Sequence, residues 1–554
     1  MLKKISAIPP VRACCMLFVA VLLSAVMIVY RSVLGVNAEE AAEAEKSKKA
    51  KNVILIQTDH EMGRGDEIIE DYYGISRPNY DSFKEQAVNF VNAKCVTPLC
   101  SPARRTMMTA VYPNQHGVIN NETTIVPSSE QETVYDVLLE GGFDKKNIYF
   151  FGKTHYSGGL SGDVPTKAYG ISGWATSGYG QPYTKSEYIS YLKRNNYFGS
   201  SFRTPVMTLG AEVLNSNPSL VKGDVVDLAE MRLITGHRYG TLEAPKEFHE
   251  AYFLADLAIE QLKKIAKSGS SEPFMMSVNI WGPHHPCSPT QEFIDLYTDE
   301  NGVLGGNIPE YPSFNDSWED RPIAYAWDNQ SVADPGMENP NSLGWEAFRT
   351  YFALSYASAS MVDDAVGRII RAINELGFDE NTVVIWTADH GDALGAHGGH
   401  SGKECYMIEE VLDIPMLVRS PDHAELAGTV NYSWVNTADV PVTMLDVLGY
   451  SFADRVAGMS MMDLLDGTAE PRKYTVSQTN GLYSETHART VYYKNYKYTY
   501  YMNDTDELFD LEKDPYEMTN LIFSREHQGI VSLMKRMLRE WQTEEKDIIP
   551  LVEG

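Results

Sequence analysis

Four short apolar runs, each followed by residues that can bind a cation or carry a proton, constrain this chain more than any other feature. The runs are Val53–Ile56, Asn147–Phe151, Met275–Ile280 and Val383–Trp386. Continuous apolar runs are typical of strands buried on both faces. Apolar residues at helical spacing lie between them, including Tyr80–Phe90, Phe253–Ile265 and Tyr351–Leu376. This alternation predicts an α/β fold with a large, mixed, mainly parallel sheet flanked by helices.

The residues that follow these runs form the candidate site. The runs lead into Thr58-Asp59-His60, Gly152-Lys153-Thr154-His155, Gly282-Pro283-His284-His285-Pro286 and Ala388-Asp389-His390-Gly391-Asp392. Ligands of open α/β sheets bind at the carboxyl ends of the strands. One such residue alone is most simply a helix cap or a turn residue, but a set at four strand ends predicts a shared site. We therefore expect these residues to converge: Asp59, Lys153, His155, His284, Asp389 and His390.

Cys100 precedes a predicted helix in which Ser101 is the N-cap and Pro102 the first helical residue. A helix N-terminus favours anions, and Arg104 one turn on adds a planar cation. Cys100 is therefore either a reactive group that faces an anion or a buried cysteine at a helix start. Local chemistry leaves both interpretations open.

The motif Cys100-Ser101-Pro102-Ala103-Arg104, with Tyr112-Pro113-Asn114-Gln115-His116-Gly117 after it, resembles the signature of the formylglycine-dependent sulfatases of the alkaline phosphatase superfamily. The resemblance implies that a maturase oxidises Cys100 to Cα-formylglycine, whose hydrated aldehyde is the nucleophile. It also implies that the chain hydrolyses a sulfate ester of a small molecule or glycan, with a carbohydrate expected.

The same resemblance implies roles for further residues. Lys153 would contact the sulfate, His155 would act as base on the formylglycine hydroxyl, and His284 would protonate the leaving oxygen. Arg104 and Lys403 would neutralise charge on the sulfuryl oxygens. The implied metal ligands are Asp59, formylglycine 100, Asp389 and His390. Calcium is expected, with manganese as the alternative. His60 stands where relatives often have a second Asp and is not assigned as a ligand.

Three other functions stay open at this point. A phosphonate monoester or phosphodiester hydrolase would use the same scaffold. An enzyme similar to alkaline phosphatase would use the unmodified Cys100 thiolate. A non-catalytic sugar-binding relative would be expected to have lost Cys100, Asp389 or Lys153, and all three are present. A sulfatase is the favoured hypothesis.

The chain ends predict the domain organisation. Residues 1–38 carry basic residues, an apolar run from Ala13 to Tyr30 and a signal-peptidase-like Val36-Asn37-Ala38, which predicts export to a secreted, periplasmic or cell-surface location. An uncleaved membrane anchor is the alternative. Residues 39–51 are a charged linker, 52–465 the catalytic domain, and 470–554 a C-terminal subdomain. The subdomain is predicted as antiparallel hairpins with a helix over Ile530–Thr543.

Charge and cysteine content exclude several classes of function. A formal net charge of −28 argues against a nucleic-acid partner, so an anionic substrate needs a locally positive pocket. Six cysteines in 554 residues are too few for a disulfide scaffold. Two long segments, 156–250 and 301–345, are rich in aromatic residues. These aromatics either stack on substrate or pack the loops.

Overall fold

The structure is a computed structural model, and it describes residues 51–63, 74–121, 131–156, 164–176, 182–196, 201–203, 225–227, 240–285, 287–326, 344–400, 402–403, 406–482, 486–547 and 549. The predicted export signal over residues 1–38 and nearly all of the predicted linker lie outside these residues, so both stay predictions. None of the helices in the described ranges is both long enough and apolar enough to cross a membrane.

Eight strands form the main sheet. In spatial order they are Val430–Asn431, Val88–Phe90, Met416–Arg419, Thr382–Ala388, Asn52–Asp59, Met275–Pro283, Ile148–Lys153 and Ser172–Thr176. The strand Asn52–Asp59 lies inside the sheet and pairs in parallel with both neighbours. Met416–Arg419 is antiparallel to both of its neighbours. The predicted mixed, mainly parallel sheet is therefore confirmed, and all four apolar runs are strands within it.

Two apolar layers cover the faces of the sheet. Ile54 and Ile56 point into one layer, together with residues of the long helices Glu250–Ser268 and Trp345–Glu375. Val53 and Leu55 point into the opposite layer. Alternate residues of one strand therefore supply both cores, which explains why the strand is apolar without interruption.

The remaining α-helices of the described residues are shorter. They are Pro78–Lys84, Cys100–Thr109, Pro113–His116, Val134–Glu140, Pro165–Ala168, Ser186–Arg194, Gln291–Ile294, Ala396–Gly399, Glu409–Leu412, Asp439–Leu448, Met461–Asp466 and Gln528–Glu544. Short strands also occur outside the two large sheets, at Ala93–Lys94, Ser201–Arg203, Val225–Asp227, Thr241–Glu243 and Val435–Asn436.

The helical interpretation of Tyr80–Phe90 is wrong in its second half. The helix ends at Lys84, and Val88–Phe90 is a strand that pairs with Met416–Arg419. Phe90 is buried by the sheet rather than by a helix face. Apolar spacing alone does not separate the two cases when a short helix leads directly into a buried strand.

A four-stranded antiparallel sheet follows the main sheet in the chain, as predicted. Its strands are Thr475–Thr479, Ala488–Tyr493, Tyr496–Tyr501 and Glu507–Asp510, paired in chain order. Met534 and Trp541 of the last helix share an apolar cluster with Val476 and Tyr498 of this sheet. The domain boundaries themselves stay a prediction.

The described aromatic residues of the two long segments pack against protein. Tyr188 and Tyr191 are buried, with ring centroids 5.4 Å and 5.1 Å from Phe253. Trp318 stacks on His400 at 5.2 Å. These residues therefore anchor loops, whereas Tyr179 and Trp327 lie outside the described residues.

Candidate active site

The carboxyl ends of neighbouring strands meet in the middle of the main sheet. The Asp389 amide donates to the Thr58 carbonyl at 3.3 Å, and the His284 amide donates to the Asp59 carbonyl at 3.1 Å. Lys153 ends the next strand along. Parallel pairing thus brings residues that are far apart in the chain to one edge of the sheet.

The helix Cys100–Thr109 presents Cys100 at its first position. The carbonyl of Leu99, which is in an extended conformation, accepts from the Ala103 amide at 3.0 Å. The prediction that Ser101 caps this helix is wrong, because the helix begins at Cys100, two residues before the predicted first helical residue Pro102, and Leu99 is its N-cap. The Ser101 hydroxyl is buried and finds no hydrogen-bond partner among the described residues.

Cationic and polar side chains surround the Cys100 sulfur. His390 Nε2 lies 3.1 Å and Lys403 Nζ 2.8 Å from Sγ. Lys153 Nζ and Asp59 Oδ1 lie 3.9 Å and 3.8 Å from it. Burial alone raises the pKa of the Cys100 thiol, but the two lysines and His390 lower that pKa well below its usual value. The site therefore favours an anionic group at this position.

Arg104 is buried and engaged by the two site carboxylates. Its Nε donates to Asp389 Oδ2 and its Nη2 to Asp59 Oδ2, both at 2.8 Å. Its Nη1 donates to the Lys153 carbonyl at 3.3 Å. The Lys153 ammonium also contacts Asp59 Oδ2. In this geometry Arg104 orients the carboxylates, and its charge reaches a bound anion through space.

The donor set fits a divalent cation. Each of Asp59, Cys100, Asp389 and His390 offers a ligand atom, all four residues are buried, and these atoms lie within 4.8 Å of one another. Arg104 binds the Oδ2 atoms of both carboxylates, whereas His390 Nε2 lies 3.9 Å and 3.6 Å from their Oδ1 atoms. Two carboxylate oxygens and an imidazole nitrogen are suitable ligands for calcium or manganese.

The pKa values of the two carboxylates shift in opposite directions. Burial raises the pKa of Asp59, but Lys153 and Arg104 outweigh burial and hold that pKa well below its usual value. Burial also raises the pKa of Asp389, and there it prevails over Arg104. A divalent cation held by the two carboxylates would favour the ionised form of both.

His390 has the tautomer that a metal ligand needs. Its Nδ1 lies 2.8 Å from the Gly391 carbonyl, which can only accept, so Nδ1 carries the proton. The lone pair of Nε2 then faces the Cys100 sulfur and the two Asp Oδ1 atoms. Ligating histidines are commonly held in this way by a backbone carbonyl.

The predicted base and acid both interact with the Cys100 side chain. His155 is buried in a left-handed conformation at φ 47° and hydrogen bonds to Cys100. His284 places Nε2 3.4 Å from Lys403 Nζ, and its Nδ1 donates to the His285 carbonyl at 2.7 Å. Burial lowers the pKa of both histidines, which favours the neutral form of each.

Sequence analysis missed Asp392, and it assigned no role to His60. Asp392 Oδ2 lies 2.9 Å from His60 Nδ1, and its Oδ1 accepts from the Gly402 amide at 2.8 Å. His60 Nε2 in turn contacts the Lys403 ammonium. The only sequence signal for Asp392 was its place in the segment that follows the fourth apolar run.

Two histidines of the later segment are structural. His397 Nδ1 lies 2.9 Å from Asp316 Oδ2, and His400 packs between the rings of Trp318 and Tyr406. Both histidines are fully buried.

A small cavity of about 30 Å³ adjoins the site on the side of His60. Its lining includes Arg77, His285, Tyr356 and Asp392. Arg77 pairs with Glu61 at 3.1 Å, and burial limits its reach.

Comparison with known proteins places this arrangement among characterised folds. The sulfatase family model matches residues 51–450, and the model of the N-sulphoglucosamine sulphohydrolase C-terminal region matches residues 395–544. An ulvan-active sulfatase of Formosa agariphila is 23% identical over 89% of this chain and 81% of its own. A delta 4,5-hexuronate-2-O-sulfatase of Bacteroides thetaiotaomicron is 24% identical over 91% of each chain.

A phosphonate monoester hydrolase of Agrobacterium radiobacter has a similar fold, with a TM-score of 0.68 at 19% identity. The match covers 89% of this chain and 96% of that structure. The fold and the site therefore define a hydrolase of the alkaline phosphatase superfamily. Because the family model spans most of the sequence, the chain belongs to the sulfatase family and is a sulfuric ester hydrolase.

Proposed function

We propose that this enzyme removes sulfate from a carbohydrate ester, using Cys100 in its formylglycine form and a bound calcium ion. The observation that carries the proposal is the cationic environment of residue 100. The ammonium nitrogens of Lys403 and Lys153 lie 2.8 Å and 3.9 Å from its sulfur, beside two buried carboxylates. Two relatives are named for carbohydrate substrates, ulvan and a hexuronate 2-O-sulfate.

The nucleophile is residue 100 after oxidation by a maturase. The hydrated aldehyde supplies an oxygen nucleophile where the thiol now lies, and the cation stabilises negative charge on oxygen. Asp59, Asp389, His390 and residue 100 would hold that cation. The helix N-terminus and Lys153 favour negative charge at the same point.

Two histidines transfer protons in the reaction, and Lys403 neutralises charge on the sulfate. His155, hydrogen-bonded to residue 100, accepts the proton that must leave this residue. His284 donates a proton to the leaving oxygen. Lys403, between residue 100 and His284, neutralises the sulfuryl oxygens.

Export to a secreted, periplasmic or cell-surface location is also proposed. It is motivated by the basic and apolar residues 1–38. The protein therefore meets its substrate outside the cytoplasm, after maturation. Cleavage at Ala38 is detected as a mature N-terminus at Glu39, whereas an intact residue 1 in membrane fractions would contradict it.

Tryptic mass spectrometry of protein made with a formylglycine-generating maturase tests the nucleophile. The peptide with residue 100 should show the mass of formylglycine, and protein made without maturase should show cysteine and no turnover. Full activity of protein that carries only the thiol would overturn the proposal.

A second candidate function is hydrolysis of phosphonate monoesters or phosphodiesters. The fold similarity to a phosphonate monoester hydrolase and the histidine at position 60 favour it. A panel of sulfated monosaccharides, 4-nitrophenyl sulfate and phenyl phosphonate esters, assayed on matured protein, separates the two. A higher kcat/KM for a phosphonate than for every sulfate would reverse the assignment.

A further inference from the structure

We infer that His60 is a positioning residue that holds the ammonium of Lys403 against the nucleophile, and that it is not a metal ligand. This inference rests on the proposed function and assigns a role to a residue at the position where related enzymes often have a metal-binding carboxylate.

The first observation is the pair of contacts that His60 makes through its two nitrogens. Nδ1 lies 2.9 Å from Asp392 Oδ2, and Nε2 contacts Lys403 Nζ. The Asp392 carboxylate accepts a hydrogen bond from the protonated Nδ1, which leaves the lone pair of Nε2 to accept from the Lys403 ammonium. A ligand atom of His60 lies within 4.8 Å of those of Asp59, Cys100 and His284, but the contacts to Asp392 and Lys403 engage both of its nitrogens.

The second observation is that Asp392 secures both partners of this contact. Its Oδ1 accepts from the amide of Gly402, the residue before Lys403, at 2.8 Å. It also accepts from the Leu394 amide at 3.0 Å. One carboxylate therefore fixes the His60 ring and the backbone that carries the lysine.

The third observation is the backbone of His60 itself. It has φ 64°, a left-handed conformation that costs energy for a residue with a side chain. This conformation turns the chain at the strand end and directs the ring between Asp392 and Lys403. The rings of His284 and His390 lie 3.9 Å and 4.6 Å from it and enclose it on two sides.

The contacts from Asp392 through His60 to Lys403 fix the position of the Lys403 ammonium beside residue 100. Lys403 Nζ lies 2.8 Å from the Cys100 sulfur and 3.4 Å from His284 Nε2. A lysine side chain is long and has four rotatable torsions, so an acceptor that fixes its end reduces the entropy lost when substrate binds. His60 is that acceptor.

A matched pair of variants tests the inference. In His60→Gln the amide end can replace Nε2 and accept from Lys403, whereas in His60→Asn the amide overlaps Nδ1 and reaches only Asp392. Asn is also well tolerated in the left-handed region, so backbone strain does not explain a loss in that variant. We expect His60→Gln to retain most of kcat for 4-nitrophenyl sulfate and His60→Asn to lose about tenfold or more.

Two further measurements separate positioning from metal binding. Metal content, measured by mass spectrometry of the digested protein, should equal that of wild type in both His60 variants. Affinity for inorganic sulfate, measured by calorimetry, should fall in His60→Asn and in Lys403→Ala alike. In the double variant His60→Asn/Lys403→Ala, the loss should be clearly smaller than the product of the single losses, because both remove the same interaction.

His423→Ala is the control, because His423 also pairs with a carboxylate, Asp466, at 2.8 Å and touches none of the site residues described above. Its effect should multiply with that of Lys403→Ala. A loss of bound metal in both His60 variants, as in Asp389→Ala, would show that His60 is a ligand and overturn the inference. Equal activity of the Gln and Asn variants, or independent effects in the double variant, would overturn it as well. Failure of the proposed function would appear separately, as wild-type protein that cleaves none of the sulfate esters.

Discussion

The ammonium nitrogen of Lys403 lies 2.8 Å from the sulfur of Cys100, across 303 positions of sequence. Both groups are buried, and Lys153 adds a second ammonium at 3.9 Å. The nucleophile position is thus strongly cationic inside a protein of net charge −28. A locally positive site of this kind selects an anionic group that the surface as a whole repels.

Removal of the Lys403 charge should therefore reduce turnover. Lys403→Ala is expected to lower kcat by about 10²–10³-fold, the range found when one preorganised donor to a developing charge is deleted. Lys263→Ala, in the helix Glu250–Ser268, is the control, because Lys263 is exposed. Steady-state kinetics on matured protein check both, and equal activity of the two variants would contradict the role of Lys403.

Either carboxylate of the metal group should be indispensable for the cation. Asp59→Ala and Asp389→Ala are each expected to abolish bound metal and activity. Each variant removes an oxygen ligand and one of the two carboxylates that pair with Arg104. Asp363→Ala is the control. Asp363 is also buried, but it accepts from the amides of Asn79 and Tyr80. It should lower stability and keep the metal, and retention of metal in either site variant would refute the ligand set.

The His155→Ala and His284→Ala variants should lose activity in different ways. His155→Ala is expected to release alcohol once per active site and then stall, because the proton on residue 100 is no longer removed. His284→Ala should reduce turnover most on sugar sulfates, because their leaving oxygens need protonation. General acid catalysis supplies ~10²–10⁴-fold in rate, and the loss should be part of that factor. Stopped-flow and steady-state assays with 4-nitrophenyl sulfate and a sugar sulfate compare them. Equal losses on both esters, without a burst, would mean that Lys403 is the acid.

Glu250 should make stability depend on pH. Its Oε1 accepts from the Gly282 amide at 3.0 Å, and burial raises its pKa to about 8. The folded protein therefore holds a proton that the unfolded chain releases near its ordinary pKa of 4.5. The stability from this group is present at low pH and is lost as pH rises towards about 8.

Thermal unfolding of Glu250→Gln across this pH range measures the effect. The variant should lack that part of the pH slope and should gain stability relative to wild type as pH rises. Parallel curves for the two proteins would show that Glu250 does not hold its proton in the folded state.

Arg321 should stabilise the contact between the segment 301–326 and the C-terminal sheet. It pairs with Glu507 at 3.0 Å and with Asp316 at 2.5 Å, and all three side chains are buried. Arg321→Met should destabilise the fold by about 3–5 kcal/mol, because it leaves buried carboxylates without a counter-charge. Chemical denaturation measures this, and Arg321→Met/Glu507→Gln should recover part of the loss. Lys146→Ala, which removes an exposed pair, should leave stability unchanged.

Local sequence was sufficient to predict the main strands and to propose Cys100 as the nucleophile. Val53–Ile56 is apolar without interruption because both faces of its strand are covered, and this burial is visible in composition alone. The motif at Cys100–Arg104 is contiguous, so a resemblance to sulfatases was detectable without any contact information. The helix predicted through Ala87–Phe90 is a turn and a strand instead, because apolar residues at helical spacing also occur outside helices.

The sequence by itself determined the alternation of strands and helices, the residues at the strand ends and the motif that carries the nucleophile. Only the tertiary structure decided that Arg104 binds two carboxylates and that Asp392 and His60 join the site. It also decided that the helix starts at Cys100 rather than after Ser101. These features depend on side-chain direction and on pairing between segments hundreds of residues apart. Neither is encoded in a local pattern, because each is selected by the packing of the whole sheet.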